Sequence, residues 1–239
     1  MFARPPLLLA TSPDLGRRTS PRARVARVIL CLSVTALAPS LSAQTLPDQT
    51  EAVAGLCGSL DNGYGPYDYR TASPAQRKIV EQYHFTTNVE LLRSGVSSTI
   101  GADLDYTLRA FPNHARALYA LSRYATRLNA TRLPGAHYPV ECYFERAVRF
   151  APDDGQARAL YADYLIKRRR TDEARDQLLS IEKIPPQQPQ VLYNMGLAWF
   201  ELKDYEKSLA YAKQAYAAGI QFPGLRDKLK RAGHWRDSP

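Results

Sequence analysis

The chain is expected to be all-α: a short solenoid of helical hairpins, preceded by an irregular segment and closed by a C-terminal capping helix. Three observations carry this expectation. Residues 155–186 can be laid on residues 189–220 at an offset of 34, with small and large positions in register. A fixed period near 34 with helical punctuation marks paired helices that stack side by side. Apolar residues also recur four apart, as in Leu104 and Leu108 or Leu225 and Leu229, which is the spacing of one helix face. Finally, Pro112-Asn113 and Pro152-Asp153 close successive stretches as helix stops.

Residues 1–43 read as a secretory signal peptide. Arg17, Arg18, Arg22, Arg24 and Arg27 precede an apolar run over residues 28–38, and Leu41-Ser42-Ala43 follows. That run is shorter than the roughly 20 residues a membrane-spanning helix needs; an uncleaved anchor is the rival. The expected compartment is therefore periplasmic or secreted, with no membrane span after cleavage. The segment carries six of the 32 basic residues and one of the 23 acidic ones, leaving 26 against 22. The basic character of the whole chain thus belongs mostly to the leader, which argues against a nucleic-acid partner. Cys57 and Cys142 survive cleavage, and in an oxidising compartment they suggest one disulfide, with a pair of free thiols as the alternative.

Residues 44–98 divide into a flexible lead-in, an irregular segment and short helices. Residues 55–74 hold four glycines, two prolines and three tyrosines. That mixture breaks helices while offering aromatic area. Ser73-Pro74 starts a helix running through Tyr83, and a short helical piece spans 89–93, ending at Gly95. Residues 99–239 form the repeat domain. Its helices are expected over 99–111, with Leu104 and Leu108 inward, and over 115–128, with Leu118, Leu121 and Ala125 inward. After a long loop, 129–139, a further helix covers 140–150, with Phe144, Ala147 and Val148 inward. The two clean repeats follow, and the tail with Leu225, Leu229 and Trp235 covers the end of the stack.

These repeats resemble the tetratricopeptide repeat family. In the last one, Leu192, Met195, Gly196, Trp199, Tyr205, Ser208 and Ala215 fall on the family's pattern. In the preceding one, Tyr161, Ala162, Leu165, Ala174, Leu178 and Pro186 do so. Ser208 replaces the usual alanine, and Thr171 stands where tyrosine is common. A narrower resemblance is to exported proteobacterial repeat proteins, carried by the stretches GPYDYR, DLDYTLRAFPNH, ECYFERA and PGLRDKLKRAGHW. It implies compartment and fold, and no activity.

The resemblance implies a concave groove lined by Arg116, Tyr119, Arg123, Arg127, Asp163, Lys167, Gln190, Tyr193, Asn194 and Leu197. Four bases and one acid make that surface cationic, so an acidic or carboxylate-bearing peptide, or a partner helix, is the expected ligand. A solvated helix face is the plain alternative. In the same register Cys142 lies on the outer face of an outer helix, where exposure is expected. A bond to Cys57 would pin Tyr64, Tyr67 and Tyr69 across the back of the first repeat or at the groove edge.

Enzyme chemistry finds little support. His84, His114, His137 and His234 lack metal-ligand spacing and read as surface or packing residues. No nucleophile elbow, phosphate loop or zincin motif is present. Asp103 and Asp105 diverge on their helix, and Lys167 to Arg170 read as a solvated turn. The expectation is a non-enzymatic interaction scaffold of the bacterial envelope, without metal or cofactor. The alternative is a binder of an anionic envelope polymer or glycan, with an enzyme built on the tyrosine-rich segment a weak third.

Overall fold

A computed structural model describes residues 55, 57–184 and 187–236. The expected leader, 1–43, and lead-in, 44–54, lie outside the described residues. Within them, all regular structure is helical: α1 (Pro74–His84), α2 (Thr87–Glu90), α3 (Ile100–Ala110), α4 (Ala115–Leu128), α5 (Val140–Phe150), α6 (Gly155–Lys167), α7 (Thr171–Glu182), α8 (Pro189–Glu201), α9 (Tyr205–Ala217) and α10 (Gly224–Arg231).

Caps explain most boundaries. Ser73 and Gln76 form a reciprocal capping box at the start of α1, with Pro74 at its first turn. The Asp154 carboxylate accepts the Gln156 and Ala157 N–H groups at α6, and Asp204 accepts that of Lys207 at α9. The short helix expected at 89–93 begins earlier, because extended Thr86 starts it, and it stops when Leu92 turns left-handed at φ 57°.

The 34-residue offset reappears in backbone geometry. Arg169 and Lys203 both adopt left-handed φ, 63° and 65°. The N–H of the next residue, Arg170 or Asp204, bonds the carbonyl of Leu165 or Trp199 at 3.0 Å in each case. Such a six-to-one closure satisfies the last carbonyls of a helix and reverses the chain. Asn129, with φ 48°, ends α4 the same way, through Ala130 N–H to Ala125 O at 3.0 Å.

Within the two repeats each helix packs first on its chain neighbour, α6 on α7 and α8 on α9. In addition α4 touches α6, and α6 touches α8. One apolar core runs from Phe85 and Val89 through Leu104, Leu118, Phe144, Leu165 and Leu178 to Trp199. A second, with Tyr193, Leu209, Ala212, Leu225 and Leu229, joins α8 and α9 to the tail, and Trp235 packs against it. The expected inward residues of α3, α4 and α5 are buried, as are Leu225 and Leu229 of α10. Gly101 sits where α3 crosses the long loop: a Cβ there would fall 2.2 Å from the Pro134 carbonyl oxygen.

A third cluster, Ala72, Val80, Ala110 and Phe111, receives Tyr64, Tyr67 and Tyr69 from the irregular segment. Cys57 and Cys142 are bonded, with Cα atoms 5.0 Å apart, closing a separation of 85 residues. Cys142 is buried, not exposed as its register implied. The pinned segment itself runs over α5 and covers it. No helix among the described residues is long and apolar enough to cross a membrane.

Candidate functional site

A hollow of about 820 Å³ gathers one stripe of side chains from each of α4, α6 and α8. Its walls are Ala115, Arg116 and Tyr119, then Gln156, Leu160, Asp163 and Lys167, then Gln190, Asn194, Leu197 and Glu201, with Phe222 and Lys228 from the tail. Spacings of three and four residues place each set on one helix face. Seven of the ten residues expected in the groove are here: Arg116, Tyr119, Asp163, Lys167, Gln190, Asn194 and Leu197.

The other three are elsewhere. Tyr193 is buried in the second core, where its hydroxyl accepts the Leu225 N–H at 3.2 Å and so ties α8 to α10. Arg127 donates to the Leu92 carbonyl at 3.1 Å, its guanidinium 4.9 Å from the Tyr124 ring centre. It secures the turn after α2. Arg123 lies over the exposed Tyr119 ring at 5.6 Å, outside the hollow's lining.

Charges in the lining are compensated. Lys167 pairs with Asp163 at 2.6 Å and Lys228 with Glu201 at 2.8 Å. Arg116 grips both Glu90 oxygens, which raises the guanidinium pKa and lowers that of the carboxyl. The surface is therefore less cationic than the sequence register suggested, since Glu90 and Glu201 were not counted in it. Gln190 donates to Asn194 at 3.1 Å, Gln156 adds a further amide, and the remaining lining is apolar or aromatic, with Tyr119 48% and Phe222 57% exposed.

The turn after α6 is also less solvated than expected. Arg168 donates to the Ala130 carbonyl at 2.7 Å, and Arg170 pairs with Glu141 at 2.6 Å and with Glu173.

A polar network absent from the sequence reading lies at the front of the molecule. Asp103 is fully buried and accepts from Val96 N–H at 2.6 Å, the Ser97 hydroxyl at 2.7 Å and His84 Nδ1 at 3.1 Å. Burial opposes its ionisation, but these three donors hold its pKa below the ordinary value. Asp105, on the diverging face, accepts from His137 N–H at 3.1 Å, Arg109 at 2.9 Å and the Tyr143 hydroxyl. His114 is a packing residue: Nδ1 caps α4 by accepting the Ala117 N–H, the Tyr69 ring lies 3.9 Å away, and Nε2 faces Glu81 at 3.4 Å without hydrogen-bond alignment. Burial pushes the His114 pKa down, whereas the facing imidazole and the Tyr69 hydroxyl hold Glu81 at about 2. The Arg146 guanidinium, also buried, lies over Tyr138 and donates to the carbonyls of Cys57 and Ser59.

Nothing in the sequence flagged these groups beyond their titratable chemistry. Several of their partners lie tens of residues away, as His137 and Tyr143 do from Asp105 and Cys57 from Arg146, and no local period links these. Among the described residues no three His, Cys, Asp or Glu side chains converge to hold a metal ion. No family model, curated protein or solved structure matches the chain.

Proposed function

We propose that this chain is an exported, tetratricopeptide-like scaffold that performs no bond chemistry and holds a peptide or partner helix in the hollow of α4, α6 and α8. The observation that carries the reading is the convergence of one stripe from each of three successive inner helices on a single apolar-walled hollow. Concave sites with apolar walls and a few convergent amides are what ligands of this size use. Gln156, Gln190 and Asn194 supply amide donors and acceptors suited to a peptide backbone. The acids and bases of the lining sit in mutual pairs, an arrangement suited to shaping a surface.

The test is photo-crosslinking in the native envelope. A photoreactive residue at Asn194 should yield a defined protein adduct, identified by mass spectrometry, whereas one at Leu179, exposed on α7, should not. Absence of an adduct from position 194, or the same adducts from both positions, would defeat the reading.

A further inference from the structure

We infer that the occupant of this hollow is a peptide segment with an apolar, uncharged middle and carboxylates at one end, the acidic end lying against Arg77 and Lys78. The inference rests on the groove reading above and deepens it to a partner chemistry.

The middle follows from the charge pairing. Lys167 and Lys228 each hold a carboxylate of the protein within 3 Å, and Arg116 holds Glu90 through two nitrogens. An acidic residue entering between them would compete with Asp163, Glu201 and Glu90 for cations that are already paired, and in these partly exposed pairs it gains little while adding like charge. Apolar side chains meet no such obstacle. Leu160 and Leu197 line the walls, and the exposed rings of Tyr119 and Phe222 offer area to cover.

The end follows from a second hollow, also of about 820 Å³, between α1, α2 and the start of α4. Arg116 borders both, so its side chain marks where one surface passes into the other. There the balance differs. Glu81 is already engaged by the Tyr69 hydroxyl at 2.6 Å and faces His114. Arg77 lies 5.5 Å over the Tyr69 ring, and neither it nor Lys78 takes part in an ion pair among the described residues. Two cations beside an aromatic ring form the arrangement that receives a carboxylate.

Length follows from helix spacing. Crossing α4, α6, α8 and α10 covers three gaps of roughly 8–10 Å, or about eight extended residues at roughly 3.3 Å each.

Fluorescence anisotropy with the full chain and three labelled peptides of about ten residues tests this. All three carry the same leucine- and alanine-rich stripe; one has two glutamates at its end, one has two glutamines there, and one has the glutamates in the middle. The end-glutamate peptide should bind tightest, roughly threefold to tenfold above the glutamine peptide, and the mid-glutamate peptide weakest. Arg77→Glu with Lys78→Glu should erase the advantage of the end glutamates and leave the glutamine peptide unchanged. Leu197→Asp should weaken all three. Equal binding of the end-glutamate and glutamine peptides, with Leu197→Asp still disruptive, would overturn the acidic end and leave the groove standing. Binding by none of the peptides, or binding indifferent to Leu197→Asp, would bring down the groove reading and this inference with it.

Discussion

Residues 57–150 and residues 155–220 are both built around packed helices, yet different forces hold them together. In the second region the buried polar side chain among the described residues is Ser208, whose hydroxyl donates to the Gly196 carbonyl at 2.8 Å. Alanine, leucine and aromatic contacts between neighbouring helices fill its interior, and its ion pairs, such as Arg170 with Glu141 and Lys207 with Glu182, are partly exposed. The first region buries Asp103, Asp105, Asn113, His114 and Arg146, adds a disulfide, and includes ties that reach 85 and 89 residues along the chain, Cys57 to Cys142 and Cys57 to Arg146. Apolar burial is non-directional and suits a repeating helix pair. A segment rich in glycine and tyrosine has no helix to set its register, so directional bonds must place it.

The largest expected effect that would sharpen this contrast is loss of the disulfide. With 85 residues in the loop, the chain-entropy account assigns about 4–5 kcal/mol to Cys57→Ala with Cys142→Ala. Hydrogen exchange should show lost protection over 58–72 and α1, with α8 and α9 nearly unchanged. Uniform loss along the chain would mean that the two regions are one cooperative unit.

Arg146→Met comes next. It leaves the Cys57 and Ser59 carbonyls without their donor inside the fold, a cost of about 2 kcal/mol in denaturant unfolding. An unchanged midpoint would show that water takes over both bonds.

Acid should loosen the first region selectively. Glu81, and Asp68 beside Arg70, sit at about 2 in the fold, below their ordinary 4.5 and 3.8. Each stabilises above its ordinary value, and that contribution is lost as the pH falls towards 2. His114 is depressed from 6.5 by burial, so below 6.5 the unfolded chain takes up the proton first and stability already declines. The urea midpoint should therefore fall from about pH 6.5 downward. His114→Asn, which keeps a competent cap, should flatten the first part of that slope. Coincident slopes for the two proteins would exclude His114 as the titrating group.

Smallest is Gly196→Ala. The new methyl would sit 2.6 Å from a Leu225 terminal carbon, while the nearest backbone atoms stay at 3.4 Å. Leu225 must shift, and the gain in helix propensity offsets part of the strain. A net change of about 1 kcal/mol or less is expected, confined to exchange protection of α10. A loss several times larger would mean that the tail braces the stack rather than covering it.

Legibility in the sequence follows the same divide. Helices α4 and α5 were legible to the residue, because the four-residue apolar spacing and the helix stops act within a turn or two, whereas for α6 to α9 only the limits of the two repeats were legible and the caps Asp154 and Asp204 set the helix starts within them. Seven residues of the hollow were legible through the resemblance to the tetratricopeptide pattern, which implied which face of each helix to read. Tyr193 was misplaced because the tail folds back to take its hydroxyl. The pairing of Arg116 was missed because Glu90 approaches from α2, outside the repeats.

What the chain determined by itself is its helical character, the 34-residue spacing and the inward stripes, since each arises between residues within about two turns of one another. Only the tertiary structure decided that Cys142 is covered, that Asp103 and His114 are interior, and that the groove's cations are neutralised. Burial and charge compensation depend on which distant segment arrives at a given face, and a period along the chain carries no information about that arrival.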